Sequence, residues 1–104
     1  MMIQMFNKQK IFQEKLNKNI HSQEYINEMV LATIDELMEA LRETPWKSWK
    51  KNQEMNKDKF KDELIDTIHF IINLCLASGM NANEVYERFI NKNKQNLERQ
   101  NANY

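Results

Sequence analysis

A chain of 104 residues has room for one hydrophobic core, so a single domain over residues 1–104 is expected. Fifteen Lys and Arg balance fifteen Asp and Glu, which leaves no basic field to attract nucleic acid, and no nucleic-acid partner is expected. No apolar run approaches the roughly 20 residues of a membrane span, and the first nine residues lack a secretory apolar core, so the sequence reads as cytoplasmic with no membrane partner.

Gly79 and Pro45 are the only strong breakers and no strand-like alternation occurs, so helices should fill the chain. The first, about Ile3–Leu16, carries Ile3, Phe6, Ile11, Phe12 and Leu16 as an apolar stripe. The second starts from a Ser22 cap and runs to about Glu43, where Pro45 stops it. Its apolar face is Ile26, Met29, Val30, Thr33, Leu37, Ala40 and Leu41. A loop over Pro45–Met55 bears Trp46, Trp49 and several lysines. The third helix begins at an Asn56 cap and ends at Ser78, with Gly79 as the residue after the C-cap. The fourth opens with Asn81-x-x-Glu84, a variant of the capping box, and runs to about Leu97. From Lys92 to Tyr104 the chain is almost free of apolar side chains, a composition that favours fraying.

The third helix decides the architecture. Phe60, Leu64, Ile65, Ile68, Ile71, Ile72, Leu74, Cys75 and Leu76 cover more than half of its circumference. One small chain has too few partners to surround such a helix, so at least a homodimer is expected. The lone Cys75 lies within this apolar run and reads as a core thiol, not a reactive one.

The chemistry-bearing residues border those apolar faces. Glu36-x-x-Glu39 on the second helix and Glu63-x-x-Asp66 on the third each place two carboxylates on one helix side. When the apolar faces pack, the acidic edges can converge, with Glu43 extending the first of them. Carboxylates so close repel unless cations join them, and hard oxygen ligands suit Mg²⁺ or Mn²⁺. The competing reading is a solvated acidic face, with Glu39 paired to Arg42 and Glu63 to Lys59. That reading leaves Glu36 and Asp66 without a basic residue three or four positions away. Spacing alone does not choose between the two.

The order of the parts resembles the all-α NTP pyrophosphohydrolase superfamily, the MazG-like and dimeric dUTPase-like enzymes, and most closely the dimeric dUTPase branch. "ELMEALRETPWKSWKK" is similar to that branch's first acidic helix and tryptophan-rich turn, and "DELIDTIHFIINLCLASGM" resembles its E-L-x-D-x-x-H-F helix. "NKNKQNLERQNANY" resembles its C-terminal K-N-x-x-N-x-x-R-Q-x-x-G-Y signature, with Asn103 in place of the glycine. The resemblance implies an all-α, four-helix MazG/dimeric-dUTPase-like bundle completed by oligomerisation, in a minimal core version. It also implies that Gln9 and Gln13 contact the uracil edge and that His69 and Phe70 lie near the base.

On the helical wheel Phe70 projects between Glu63 and Asp66, where it either walls a base pocket or fills the core. Asn73, one turn further, is a candidate for polar contact with base or sugar. Of the loop tryptophans, Trp46 is expected to staple the loop and Trp49 to line the pocket. Lys47 and Lys50 either meet phosphate or are solvated, and His21 has no assigned role. Lys92, Asn96 and Arg99 recur at helical spacing and, with Gln100, could present cations and amides to a triphosphate.

The expected reaction is dUTP + H₂O → dUMP + pyrophosphate. Glu36, Glu39, Glu63 and Asp66 would hold Mg²⁺, Glu36 would orient or deprotonate the water, and Lys92 and Arg99 would stabilise the leaving group. The rivals are the same chemistry on dCTP or a non-canonical nucleotide, and a non-catalytic helical interaction module.

Overall fold

In the computed structural model, which describes residues 1–102, four helices follow one another: α1 Met2–Lys15, α2 Gln23–Arg42, α3 Lys57–Ala77 and α4 Ala82–Asn101. The expected caps form. The Ser22, Asn56 and Asn81 side chains accept from the backbone N–H of Tyr25, Lys59 and Glu84 respectively, each satisfying an otherwise orphaned first-turn donor. At the end of α3, Gly79 adopts φ +89°; its N–H donates to the Leu76 carbonyl and that of Met80 to the Cys75 carbonyl. This left-handed step closes the helix and lets α4 leave at 102° to α3.

One difference from the sequence-based boundaries stands out. Helix α4 continues through Asn101, past the expected end at Leu97, and its distal part is helical where composition favoured fraying. Lys, Gln, Leu, Glu and Arg all tolerate helix well and no Gly or Pro intervenes, so nothing in the sequence stops the helix sooner. An Arg88–Glu84 pair at 2.8 Å supports its first half. The last two positions of the C-terminal signature, Asn103 and Tyr104, lie outside the described residues.

Helices α2 and α3 form the main pair, α1 lies across α3, and α4 touches α1 more lightly. Two small apolar clusters hold them. Phe6, Ile72 and Ala82 pack with Cys75, Leu76 and Val85, and Tyr25, Met29 and Ala77 pack with Ile20, Ile26, Phe70 and Leu74. Burial raises the Cys75 thiol above its ordinary range, as suits a core cysteine. His21, which the sequence left without a role, ties the α1–α2 turn to the end of α3 through its Nδ1, 3.1 Å from the Ala77 carbonyl oxygen.

The protomer is flat and open. Its radius of gyration is 17.1 Å, against about 13 Å for a compact domain of this length. Ile65, Ile68 and Ile71 on α3, Leu31, Ile34 and Leu37 on α2, and Tyr86 and Phe89 on α4 all remain exposed. Among the described residues, no single helix is long and apolar enough to cross a membrane.

Candidate active site at the α2–α3 interface

The three-residue spacing of Glu36 and Glu39 brings both to the α2 edge that meets α3, where Glu63 faces them. One carboxylate oxygen from each of the three lies within 4.8 Å of the others. Glu36 Oε2 and Glu63 Oε2 are buried and have no hydrogen-bond partner. Burial, then the close approach of the Glu63 carboxyl, then the charges of Glu39, Asp66 and Glu63 push the Glu36 carboxyl up to about 7. Glu39 is also raised, first by the approach of Glu63, then by burial and by the charges of Glu63 and Asp35. Neither of the alternative ion pairs, Glu39 with Arg42 or Glu63 with Lys59, forms among the described residues.

This donor set fits a hard divalent cation. It offers three carboxylates, two of them with an orphaned buried oxygen, and none of the three forms an ion pair with Lys or Arg among the described residues. Asp66 stands apart from the tight group. It is exposed, lies one turn along α3, and reaches Glu36 through its charge while sharing the cavity wall with it.

That cavity, about 440 Å³, opens between α1, α2 and α3. Glu36 and Asp66 line one side of it; Gln9, Gln13, His69, Phe70 and Asn73 line the rest, with Phe12, Leu16, Lys18 and Met29. Gln9, Gln13 and Asn73 are buried, an unusual concentration of amides for so small a core. Phe70 does both things open to it, packing against the Tyr25–Met29 cluster and facing the cavity. His69 is exposed, with its Nδ1 2.9 Å from the Ile65 carbonyl oxygen, so the ring is oriented by its own helix and Nε2 is left for a ligand. A second cavity, about 390 Å³ between α1 and the α3–α4 turn, contains no carboxylate.

Other expected site residues are not brought here. Trp49 is 73% exposed and Trp46 40% exposed, and both lie outside the cavity lining. The two indoles instead meet edge to face, with centroids 5.7 Å apart, and Lys47 Nζ lies 5.7 Å from the Trp46 ring centroid. The loop is closed by Gln53, whose amide donates to the Lys47 and Lys50 carbonyls, and by the Asn56 N–H donating to the Glu43 carbonyl. Lys92, Asn96, Arg99 and Gln100 are exposed on distal α4, and none of them lines the cavity.

The sequence missed the residues that hold the amides. Tyr25 donates its hydroxyl to Gln13 Oε1 at 2.7 Å, and Asn73 Nδ2 lies 3.5 Å from Met29 Sδ. A tyrosine one turn inside a helix that buries its apolar face must find a polar partner, and that was the available signal. Nothing in the spacing named Gln13 as the partner.

The chain is similar to the dCTP pyrophosphatase of Enterobacteria phage T4, 38% identical over 71 residues that cover 57% of this chain and 42% of that protein. The corresponding dCTP pyrophosphatase of phage LZ5 matches at 38% over 71 residues, covering 57% of this chain and 41% of its own. A DNA replication protein of phage T4 matches at 36% over 61 residues, which is 47% of this chain and 16% of that protein. The chain thus spans less than half the length of these relatives. No solved structure matches. The family profile described as dUTPase matches residues 1–82, from the start of the amide-bearing α1 through both acidic helices, and on that match the chain belongs to the dUTPase family.

Proposed function

We propose that this protein is a metal-dependent nucleoside triphosphate pyrophosphohydrolase that cleaves dUTP to dUMP and pyrophosphate. The observation that carries the reading is the meeting of the Glu36, Glu39 and Glu63 carboxylates, within 4.8 Å, beside a cavity walled by buried amides. A charged triphosphate and a polar base need opposite surroundings, and the two ends of this site supply them.

Glu36, Glu39, Glu63 and Asp66 would hold Mg²⁺, or Mn²⁺ in its place. The cation, when bound, supplies charge neutralisation of the phosphates and acidification of water. Glu36 would orient the attacking water and accept its proton. A water oxygen forms the new bond to phosphorus, and the α–β anhydride bond breaks to release pyrophosphate. Gln9, Gln13 and Asn73 would bind the base by its polar edge, with Phe70 against its face and His69 Nε2 beside it. Lys92 and Arg99, with Asn96 and Gln100, would meet the phosphates from α4, which requires α4 of the same or another copy to reach the acidic cluster.

A homodimer or larger homo-oligomer is part of this reading. The exposed isoleucines of α3 and the open shape of the protomer support it, since burying each such side chain is worth about 1.5–3 kcal/mol. Hydrolysis of dCTP by the same residues is the second reading, favoured by the dCTP pyrophosphatases that resemble this chain.

Pyrophosphate release from a panel of deoxy- and ribonucleoside triphosphates, with and without Mg²⁺, tests both. Mg²⁺-dependent release, greatest with dUTP, is expected. Greater release with dCTP would establish the second reading, and no release from any nucleotide would overturn the enzymatic one.

A further inference from the structure

An amide side chain has a donor end and an acceptor end of nearly the same shape. A buried amide therefore discriminates between base edges only if something fixes which end faces the ligand. Gln13 and Asn73, 5% and 2% exposed, are two such amides on the cavity wall.

Each has a neighbour that tells nitrogen from oxygen. The Tyr25 hydroxyl lies 2.7 Å from Gln13 Oε1 and donates to it. A phenol donates strongly and accepts poorly, because its lone pair is partly delocalised into the ring. Burial, with the charge of Glu28, raises Tyr25 above the usual phenol range and keeps the donor proton in place. Gln13 thus turns its oxygen to Tyr25 and keeps its NH₂ for the cavity. At Asn73 the neighbour is the Met29 thioether, 3.5 Å from Nδ2, a group that accepts weakly and cannot donate. Asn73 Oδ1 is buried without a partner, an acceptor waiting for a donor. Tyr25 and Met29 are buried one turn apart on α2, so a single helix edge sets both amides.

We propose that Tyr25 and Met29 are positioning residues that fix the polarity of the base pocket, donor from Gln13 and acceptor from Asn73, and so decide which pyrimidine nucleotide it accepts. The inference rests on the reading that this cavity takes the base of a nucleotide. Uracil presents N3–H beside the O4 acceptor, whereas cytosine presents N3 as an acceptor beside the N4 amino donor. Amides held in one orientation match one of these edges and oppose like with like at the other. Amides free to turn over accept both.

The test compares dUTP and dCTP turnover, and dUMP and dCMP binding by calorimetry, in the wild type, Tyr25→Phe, Met29→Leu and Gln13→Glu. The wild type should discriminate between the two bases. Tyr25→Phe and Met29→Leu should each shrink that discrimination about tenfold, as expected when a buried polar group loses its fixed partner. The change should fall on KM and binding, with kcat within about twofold. Gln13→Glu keeps an oxygen for Tyr25 but replaces the cavity-facing donor with an acceptor, so it should lose the favoured nucleotide about tenfold or more. A merely structural role would lower the melting temperature and leave the dUTP-to-dCTP ratio alone. A wild type that does not discriminate, or variants that discriminate as well as it does, would overturn the inference. A protein that binds and distinguishes dUMP from dCMP yet hydrolyses no nucleotide would sustain it while removing the hydrolytic reading. Binding of neither nucleotide would remove both.

Discussion

Glu36 on α2 and Glu63 on α3 face each other across the helix interface, each with one buried oxygen that has no hydrogen-bond partner. Such a pair costs stability, because two carboxylates in contact repel and neither regains the water it has lost. Their meeting beside Glu39 is intelligible if the cluster receives positive charge.

Glu63→Gln should therefore separate function from stability. Turnover with Mg²⁺ is expected to fall by at least about two orders of magnitude, since even outer partners of a metal site typically contribute tenfold to a hundredfold. The metal-free melting temperature should hold or rise, because one of the opposed charges is gone. Near-wild-type turnover in this variant would show that Glu63 is no metal ligand.

The raised Glu36 carboxyl gives metal-free stability a definite pH dependence. A carboxyl at about 7 in the folded protein, against an ordinary value of 4.5, keeps its proton longer in the folded state than in the unfolded one. Between these values the folded protein binds more protons, so stability should fall as pH rises from about 4.5 to about 7 and level off above that. Mg²⁺ should abolish the fall, and its binding near pH 6.5 should release protons measurable by calorimetry in buffers of different ionisation enthalpy. A metal-free melting temperature that climbs steadily over the same window would contradict this assignment.

Assembly is tested at α3. The wild type should sediment as a dimer or larger at micromolar concentration, and Ile68→Glu with Ile71→Glu should shift it towards the 12.6 kDa monomer with a large loss of thermal stability. A wild-type monomer of full helicity would show that the open protomer is stable with its isoleucines in water.

How much of this was visible in the sequence follows from the range of each interaction. The helices, their Ser22, Asn56 and Asn81 caps and the Gly79 stop are local, set by residues within one turn, and they were legible. The convergence of Glu36, Glu39 and Glu63 was legible too, because fixed periodicity ties acidic edges to the apolar faces that must pack. The Tyr25–Gln13 bond was not, since it joins two helices across a turn whose geometry no periodicity encodes. Trp46 and Trp49 show the same limit: their loop is closed by the Gln53 side chain acting on carbonyls, and the indoles meet one another edge to face, an arrangement no periodicity encodes. For the distal part of α4, composition pointed to fraying where intrinsic helix preference, uninterrupted by Gly or Pro, carries the helix to Asn101.

That distal helix supports the last prediction. Lys92, Asn96, Arg99 and Gln100 are exposed, and residues 91–100 bury no side chain against the protomer. A helical segment without a buried face opens readily, so its amides should exchange fast in the nucleotide-free protein. If Lys92 and Arg99 meet phosphate, Mg²⁺ and a non-hydrolysable dUTP analogue should slow that exchange. Arg99→Ala should then weaken analogue binding about tenfold to a hundredfold, the effect of losing a charge-assisted contact of about 1.5–3 kcal/mol. Its thermal stability should change little, as expected for an exposed side chain. Truncation before Lys92 should weaken binding further, since it removes both cations at once. Full activity of the truncated protein on dUTP would place phosphate recognition wholly within the acidic cluster and its cation, and would leave α4 with no part in the chemistry. The family match, which ends at residue 82, is compatible with either outcome, so the truncation decides the matter.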